Sequence, residues 1–118
     1  MADRDELGRR GEQAAEAYLG EHGFRLVTRN WRCRHGEVDL ILREGRCLVF
    51  CEVKTRRGRG FGEPLDAVTW RKVARLRRLA SAYLQDSGGH PGPVRIDAVG
   101  IVWAADGRLT ITHVRGVG

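Results

Sequence analysis

No run in this chain is apolar for long enough to cross a membrane, and the opening MADRDELGRR places charges where an export signal needs an apolar centre. The expectation is therefore no membrane partner and a cytoplasmic location. Cysteine is scarce and odd in number, limited to Cys33, Cys47 and Cys51 without a Cys-x-x-Cys pair. That excludes a disulfide framework, and Cys33 with His35 and a core cysteine matches no standard zinc spacing. Cys47 and Cys51, four apart in an apolar run, read as reduced core residues. Internal repeats, linkers and low-complexity segments are also missing, so residues 1–118 read as one domain. Lysine occurs only at Lys54 and Lys72, every other basic residue being arginine. That skew follows from genome composition as readily as from a need for guanidinium chemistry.

What remains is a chain that is 42% hydrophobic and 31% charged, with 21 basic against 15 acidic residues, a net charge of +6 and a pI near 10.0. The composition is that of a soluble globular domain, and the basic excess suits phosphate backbones or anionic surfaces. From Asp3 to His22, the positions Leu7, Gly11, Ala14, Ala15, Tyr18 and His22 follow helical spacing, and Gly23 is a stop. Strands are expected over Phe24–Trp31, Glu37–Arg43 and Arg46–Lys54, then a glycine-rich loop from Gly58 to Gly62. Leu65, Val68, Val73, Leu76, Leu79 and Tyr83 mark an amphipathic second helix running to Gln85. Val94–Trp103 and Leu109–Val114 close as two more strands. The order α-β-β-β-α-β-β predicts an α/β sandwich, a mixed sheet flanked by helices, with the first three strands as an antiparallel meander.

A two-residue turn at Glu44-Gly45 would set the hairpin register: Arg43 opposite Arg46, Ile41 opposite Leu48, Asp39 opposite Phe50 and Glu37 opposite Glu52. Glu37, Asp39, Glu52 and Lys54 then share one face, with Asp39 diagonal to Glu52. Carboxylates crowded on a sheet face are destabilising unless a cation takes them up, and Mg²⁺ or Mn²⁺ uses one or two such carboxylates plus water and phosphate. Glu12 lies on the flank of the first helix's apolar stripe, with Gly8 leaving space beside it, and can look into the same site. Glu16 falls nearer solvent. A lone Glu-x-Lys is common at strand ends, so it is the shared face that lifts these residues above ordinary surface charge.

The separated blocks Gly11-Glu12…Ala15, Arg29-Asn30-Trp31-Arg32, Gly36-Glu37-Val38-Asp39-Leu40, Phe50-Cys51-Glu52-Val53-Lys54, Phe61-Gly62 with Ala67-Val68 and Lys72, and Arg95-Ile96-Asp97 resemble the YraN-like family over nearly the whole chain. These small bacterial proteins are assigned to the restriction-endonuclease-like superfamily, whose signature is Asp…(Asp/Glu)-x-Lys. The resemblance implies a restriction-endonuclease-like three-layer sandwich and a metal-dependent DNA phosphodiesterase, with branched or single-stranded DNA as candidate substrates. It implies Asp39, Glu52 and Lys54 as catalytic residues, Asp39 and Glu52 holding Mg²⁺ or Mn²⁺. Glu12 joins by likeness to the Holliday-junction-resolvase-like branch, whose members also suggest a homodimer. Glu37 belongs to the family motif and is expected to stand behind the ligands. The other reading is a nucleic-acid-binding module that keeps the fold without turnover.

Several further residues could contact DNA. Arg71, Arg75 and Arg78 fall on one side of the second helix, as a phosphate-tracking row or a solvated face. Arg56, Arg57 and Arg59 sit among glycines, as a DNA-contacting loop or a plain surface loop. Lys72, at the edge of the apolar stripe, either snorkels or turns toward the acids. Trp31, Trp70 and Trp103 are stacking candidates, Trp70 foremost because it leaves the stripe. Asp97, on one strand face with Arg95, reads as half of a structural ion pair.

Overall fold

The computed structural model describes residues 2–58, 60 and 62–117. Its elements are α1 (Ala2–Glu21), β1 (Phe24–Cys33), β2 (Gly36–Glu44), β3 (Cys47–Arg57), a 3₁₀ turn (Pro64–Ala67), α2 (Trp70–Ser87), β4 (Val94–Trp103) and β5 (Leu109–Val114). The strands lie side by side in chain order in one mixed sheet, β3 and β4 parallel and every other neighbour antiparallel. Short turns join the antiparallel pairs, whereas the parallel step needs the long crossover that α2 supplies.

One helix covers each face. On α1, Gly11, Ala15 and Leu19 are buried four residues apart, and the last two pack on Leu40, Leu42, Cys51 and Val53. The helix stops at Gly23, which takes φ 92°, while the His22 ring nitrogen Nδ1 bonds the Tyr18 carbonyl at 2.7 Å. His22 is thus an exposed cap and not part of the apolar stripe. On the opposite face, Leu76, Leu79 and Ala80 of α2 pack on Val38, Ile41, Leu48 and Phe50.

The second helix begins later than its apolar stripe suggests. Thr69 caps it, its hydroxyl accepting from the Lys72 N–H at 3.3 Å, and Leu65 belongs to the preceding 3₁₀ turn. Leu65 is drawn in by Gly100, where a Cβ would lie 2.9 Å from its Cγ. Its burial mimics the helical period without belonging to it.

The β2–β3 register is also corrected. The turn is Gly45-Arg46, so that Glu44 pairs with Cys47, Ile41 with Phe50 and Leu40 with Cys51. Gly45, at φ 60°, takes the left-handed position that the tight turn needs. The error is two residues. By itself an even error changes no face, and continuing the observed register sets Asp39 opposite Glu52 instead of Phe50. The faces at the Asp39 end do differ from the expectation: Val38, expected on the side away from Ile41, packs with it on the α2 side.

Candidate active site

Beyond Leu40–Cys51 the backbone pairing of β2 with β3 ends. There the Asp39 carboxylate crosses the gap, its Oδ2 accepting the Val53 N–H at 2.7 Å. Asp39 is part-buried. Burial, then the neighbouring charge of Glu52, pushes its acid up from an ordinary 3.8 to about 8; the Val53 hydrogen bond opposes this, and the charges of Glu12 and Glu37 add to it. Four acids therefore press on one point, with Asp39 bearing the strain.

Glu52 follows the alternation of Phe50 onto the α2 face and is only 5% exposed. Such a buried carboxylate needs a partner, and Lys54, one step along the same face, supplies it at 3.5 Å. Lys72 comes off the first turn of α2 next to the Lys54 ammonium. That contact, followed by burial, lowers the Lys72 ammonium from its ordinary value, against the pull of Glu52. Lys72 thus stands beside Lys54, and its charge is felt by Glu52.

Glu12 arrives from the α1 face. A Cβ at Gly11 would lie 1.9 Å from Thr55 Oγ1, so only glycine lets α1 sit this close to β3. Glu12 thereby reaches Asn30, whose Nδ2 donates to its Oε1 at 3.0 Å. Asn30 carried no sequence argument beyond its place in a motif. Its signal was a turn-forming polar residue inside a strand pattern.

The remaining candidates divide. Glu37, expected opposite Glu52, instead pairs with Arg32 of β1 at 3.4 Å, though its charge still bears on Asp39. Glu16 is held by Arg29 at 2.9 Å. Arg56 and Arg57 are not loop residues. The parallel partner β4 runs far enough to pair them with Val102 and Trp103, and Arg56 Nε is buried without a hydrogen-bond partner among the described residues. Arg59 lies outside the described residues, as does Phe61 of the family motif. Arg71, Arg75 and Arg78 are all exposed. Trp31 makes an edge-to-face contact with Tyr83 at 5.3 Å, and Trp103 lies under Arg10 at 4.8 Å. Trp70 is 77% exposed. Asp97 is the expected ion-pair partner of Arg95, at 2.7 Å.

Among the described residues, no three His, Cys, Asp or Glu side chains converge tightly enough to hold a metal ion as they stand. Each acid of the cluster is taken up by a neighbour: Asp39 by Val53, Glu52 by Lys54 and Glu12 by Asn30. The donor chemistry nevertheless fits Mg²⁺ or Mn²⁺. Hard oxygens from two carboxylates suffice when water and phosphate complete the shell, and burial together with the charges of Glu52, Glu12 and Glu37 raises the Asp39 acid, a cost that a bound cation would relieve.

The fold and the site together define a helix–sheet–helix α/β domain with an acid–lysine cluster where two central strands part. No helix among the described residues is long and apolar enough to cross a membrane. The model of the uncharacterised protein family UPF0102 matches residues 11–101, and the chain belongs to that family, the YraN-like group that its motifs resemble. Relatives include UPF0102 proteins of Leifsonia xyli subsp. xyli, 48% identical over 117 residues and 99% of both chains, and of Streptomyces griseus, 51% identical over 118 residues and 99% of both. Another, from Rhodococcus jostii, is 52% identical over 115 residues and 98% of both chains.

Proposed function

We propose that this protein is a Mg²⁺- or Mn²⁺-dependent endonuclease that hydrolyses phosphodiester bonds in branched or single-stranded DNA, on a restriction-endonuclease-like three-layer sandwich. The observation that carries the reading is the meeting of Asp39, Glu52 and Lys54 where β2 and β3 part. Those are the residues that the Asp…(Asp/Glu)-x-Lys signature of the resembled superfamily requires.

Asp39 and Glu52 would hold the ion, with Glu12 joining directly or through water. When bound, it supplies positive charge to the scissile phosphate and acidifies water for attack. Lys54 holds its ammonium at the Glu52 carboxylate, from which it orients the attacking water or stabilises charge growing on the phosphate oxygens. Lys72 adds a second positive charge beside it. Arg71, Arg75 and Arg78, exposed and without an acid partner among the described residues, are placed to neutralise the phosphate backbone.

The test is incubation with supercoiled, linear, single-stranded and four-way-junction DNA, with Mg²⁺, Mn²⁺ or EDTA. Metal-dependent cleavage is expected, reduced about 10²–10⁴-fold in Asp39→Ala and in Lys54→Ala. Cleavage that survives both substitutions removes the assignment. A second reading, a DNA-binding module without turnover, is favoured by the fact that every acid already has a protein partner. Intact substrates bound with a steep salt dependence would establish it.

A further inference from the structure

We propose that Asn30 is a positioning residue for the metal site, fixing two acids that come from different elements: Glu12 through its amide and Asp39 through its backbone. The inference rests on the metal reading above and extends it to a residue that takes no part in the signature.

On the backbone side, the starting point is a local loss of alternation; the register shift of β1 against β2 lies earlier, between Leu26 and Thr28, and the register is the same on both sides of Asn30. Asn30 has φ 52° and is the one non-glycine residue with positive φ among those described. Asparagine is among the few side chains that tolerate this conformation. β1 pairs with β2 at Arg29–Leu40 and again at Trp31–Val38, and the pairing skips Asn30 and Asp39 between them. Alternation fails at the same level. Val38 and Ile41 are three apart yet pack on the same α2-side core, which a regular strand forbids. Their partners Trp31 and Thr28 are likewise three apart. Both strands therefore slip out of phase together at Asn30 and Asp39. That slip releases Asp39 from the ladder and lets its carboxylate reach sideways to Val53.

The side-chain argument concerns Glu12. The Asn30 amide holds Oε1 at 3.0 Å, leaving Oε2 without a hydrogen-bond partner among the described residues. A neutral donor suits this task. Lysine or arginine in its place would neutralise Glu12 and compete with a divalent cation, whereas an amide orients the carboxylate and leaves its charge available. The seat of α1 is set separately, by Gly11 against Thr55, so the amide trims an acid already close.

The experiment is calorimetric titration of Mn²⁺ into the full chain, wild type against Asn30→Gly, Asn30→Ala and Glu12→Gln, with thermal melts in EDTA. Glycine keeps the backbone conformation and removes the amide. Asn30→Gly should melt nearly as wild type but bind Mn²⁺ about tenfold more weakly. Asn30→Ala should lose both affinity and thermal stability, because alanine resists φ 52°. Wild-type Mn²⁺ affinity in Asn30→Gly alongside weakened binding in Glu12→Gln would overturn the inference alone. Wild-type affinity in Glu12→Gln would overturn it as well, since nothing at Glu12 would then need holding. A wild type that takes up no Mn²⁺ removes the metal reading and this inference with it.

Discussion

Asp97→Asn separates a residue that holds the fold from one that serves the site. Asp97 is fully buried, and its two oxygens receive four hydrogen bonds. Arg95 Nε donates to Oδ1 at 2.7 Å and Arg95 Nη2 to Oδ2 at 2.9 Å. His113 Nε2 donates to Oδ2 at 2.8 Å and the Gly116 N–H to Oδ1 at 3.1 Å. The same guanidinium reaches Glu44 of β2 at 2.9 Å, so the carboxylate ties β4 to β5, to the C-terminal segment and, through Arg95, to β2. Asparagine preserves the shape but turns one oxygen into a donor that faces two donors. Breaking a buried pair in this way costs about 3–5 kcal/mol. At about 0.05–0.15 kcal/mol per residue the whole domain has roughly 6–18 kcal/mol to lose. The variant should therefore fold at 25 °C and melt about 10–20 °C lower.

The pH dependence follows from the same contacts. Burial alone would raise the Asp97 acid, but the hydrogen bonds from Arg95, His113 and the Gly116 N–H outweigh it and hold the acid below its ordinary value. Its contribution is therefore complete above about pH 4, where the unfolded chain is ionised, and is lost as pH falls through the folded value. Urea denaturation followed by circular dichroism at pH 7 and pH 3.5 should show the gap between wild type and Asp97→Asn narrowing in acid. A gap under about 1 kcal/mol at pH 7, or one that widens on acidification, would refute the reasoning. Folded Asp97→Asn that had lost Mn²⁺ binding would instead move Asp97 into the metal site.

Asp39→Asn should stabilise the metal-free protein: burial and the neighbouring acids raise the Asp39 acid to about 8, so at pH 7 the folded chain takes up a proton that the unfolded chain does not, and asparagine removes that cost while still accepting from Val53 N–H. In EDTA at pH 7 the gain should be about 1–3 kcal/mol. Added Mn²⁺ should close that gap by stabilising wild type alone, and a variant less stable than wild type in EDTA would show that the acids do not repel as argued. Gly11→Ala, though favoured by helix propensity, should destabilise by about 1–3 kcal/mol because its Cβ meets Thr55 Oγ1. Thr55→Ala in the same chain should recover part of that loss; a Gly11→Ala protein more stable than wild type would mean that α1 has room to move.

Much of this was readable in the sequence, for identifiable reasons. Apolar periodicity placed both helices and all five strands, because burial is what those patterns record. It failed at Leu65, where a 3₁₀ turn packed over Gly100 gives an apolar residue the same spacing as the helix behind it. The hairpin register was misread by two, since Glu44-Gly45 and Gly45-Arg46 are both acceptable turns and either sets an apolar residue opposite Ile41, Leu48 in one and the observed Phe50 in the other. An even error preserves the facing of Glu52 and Lys54, and Asp39 joins them because its carboxylate crosses to Val53 where the pairing ends. The strand status of Arg56 and Arg57 was not legible, because it depends on the length of β4, a partner 46 residues away in the chain.

The irregularity at Asn30 and Asp39 could not be read at all, and it is the feature on which the site depends. Glu52 and Lys54 stand on the α2 face, following the alternation of Phe50, whereas Glu12 approaches from the α1 face. A regular strand can deliver a side chain to one face or the other but not between them. To join acids from both sides, one carboxylate must lie near the plane of the sheet, at a point where no neighbouring strand fills the gap. Asp39 meets both conditions: the β2–β3 pairing stops one residue away, and the slipped alternation directs its carboxylate across the gap to a backbone N–H of β3. Local propensity encodes neither condition. A sequence pattern can name the acids of such a site, but their meeting point is set by where the sheet ceases to be regular.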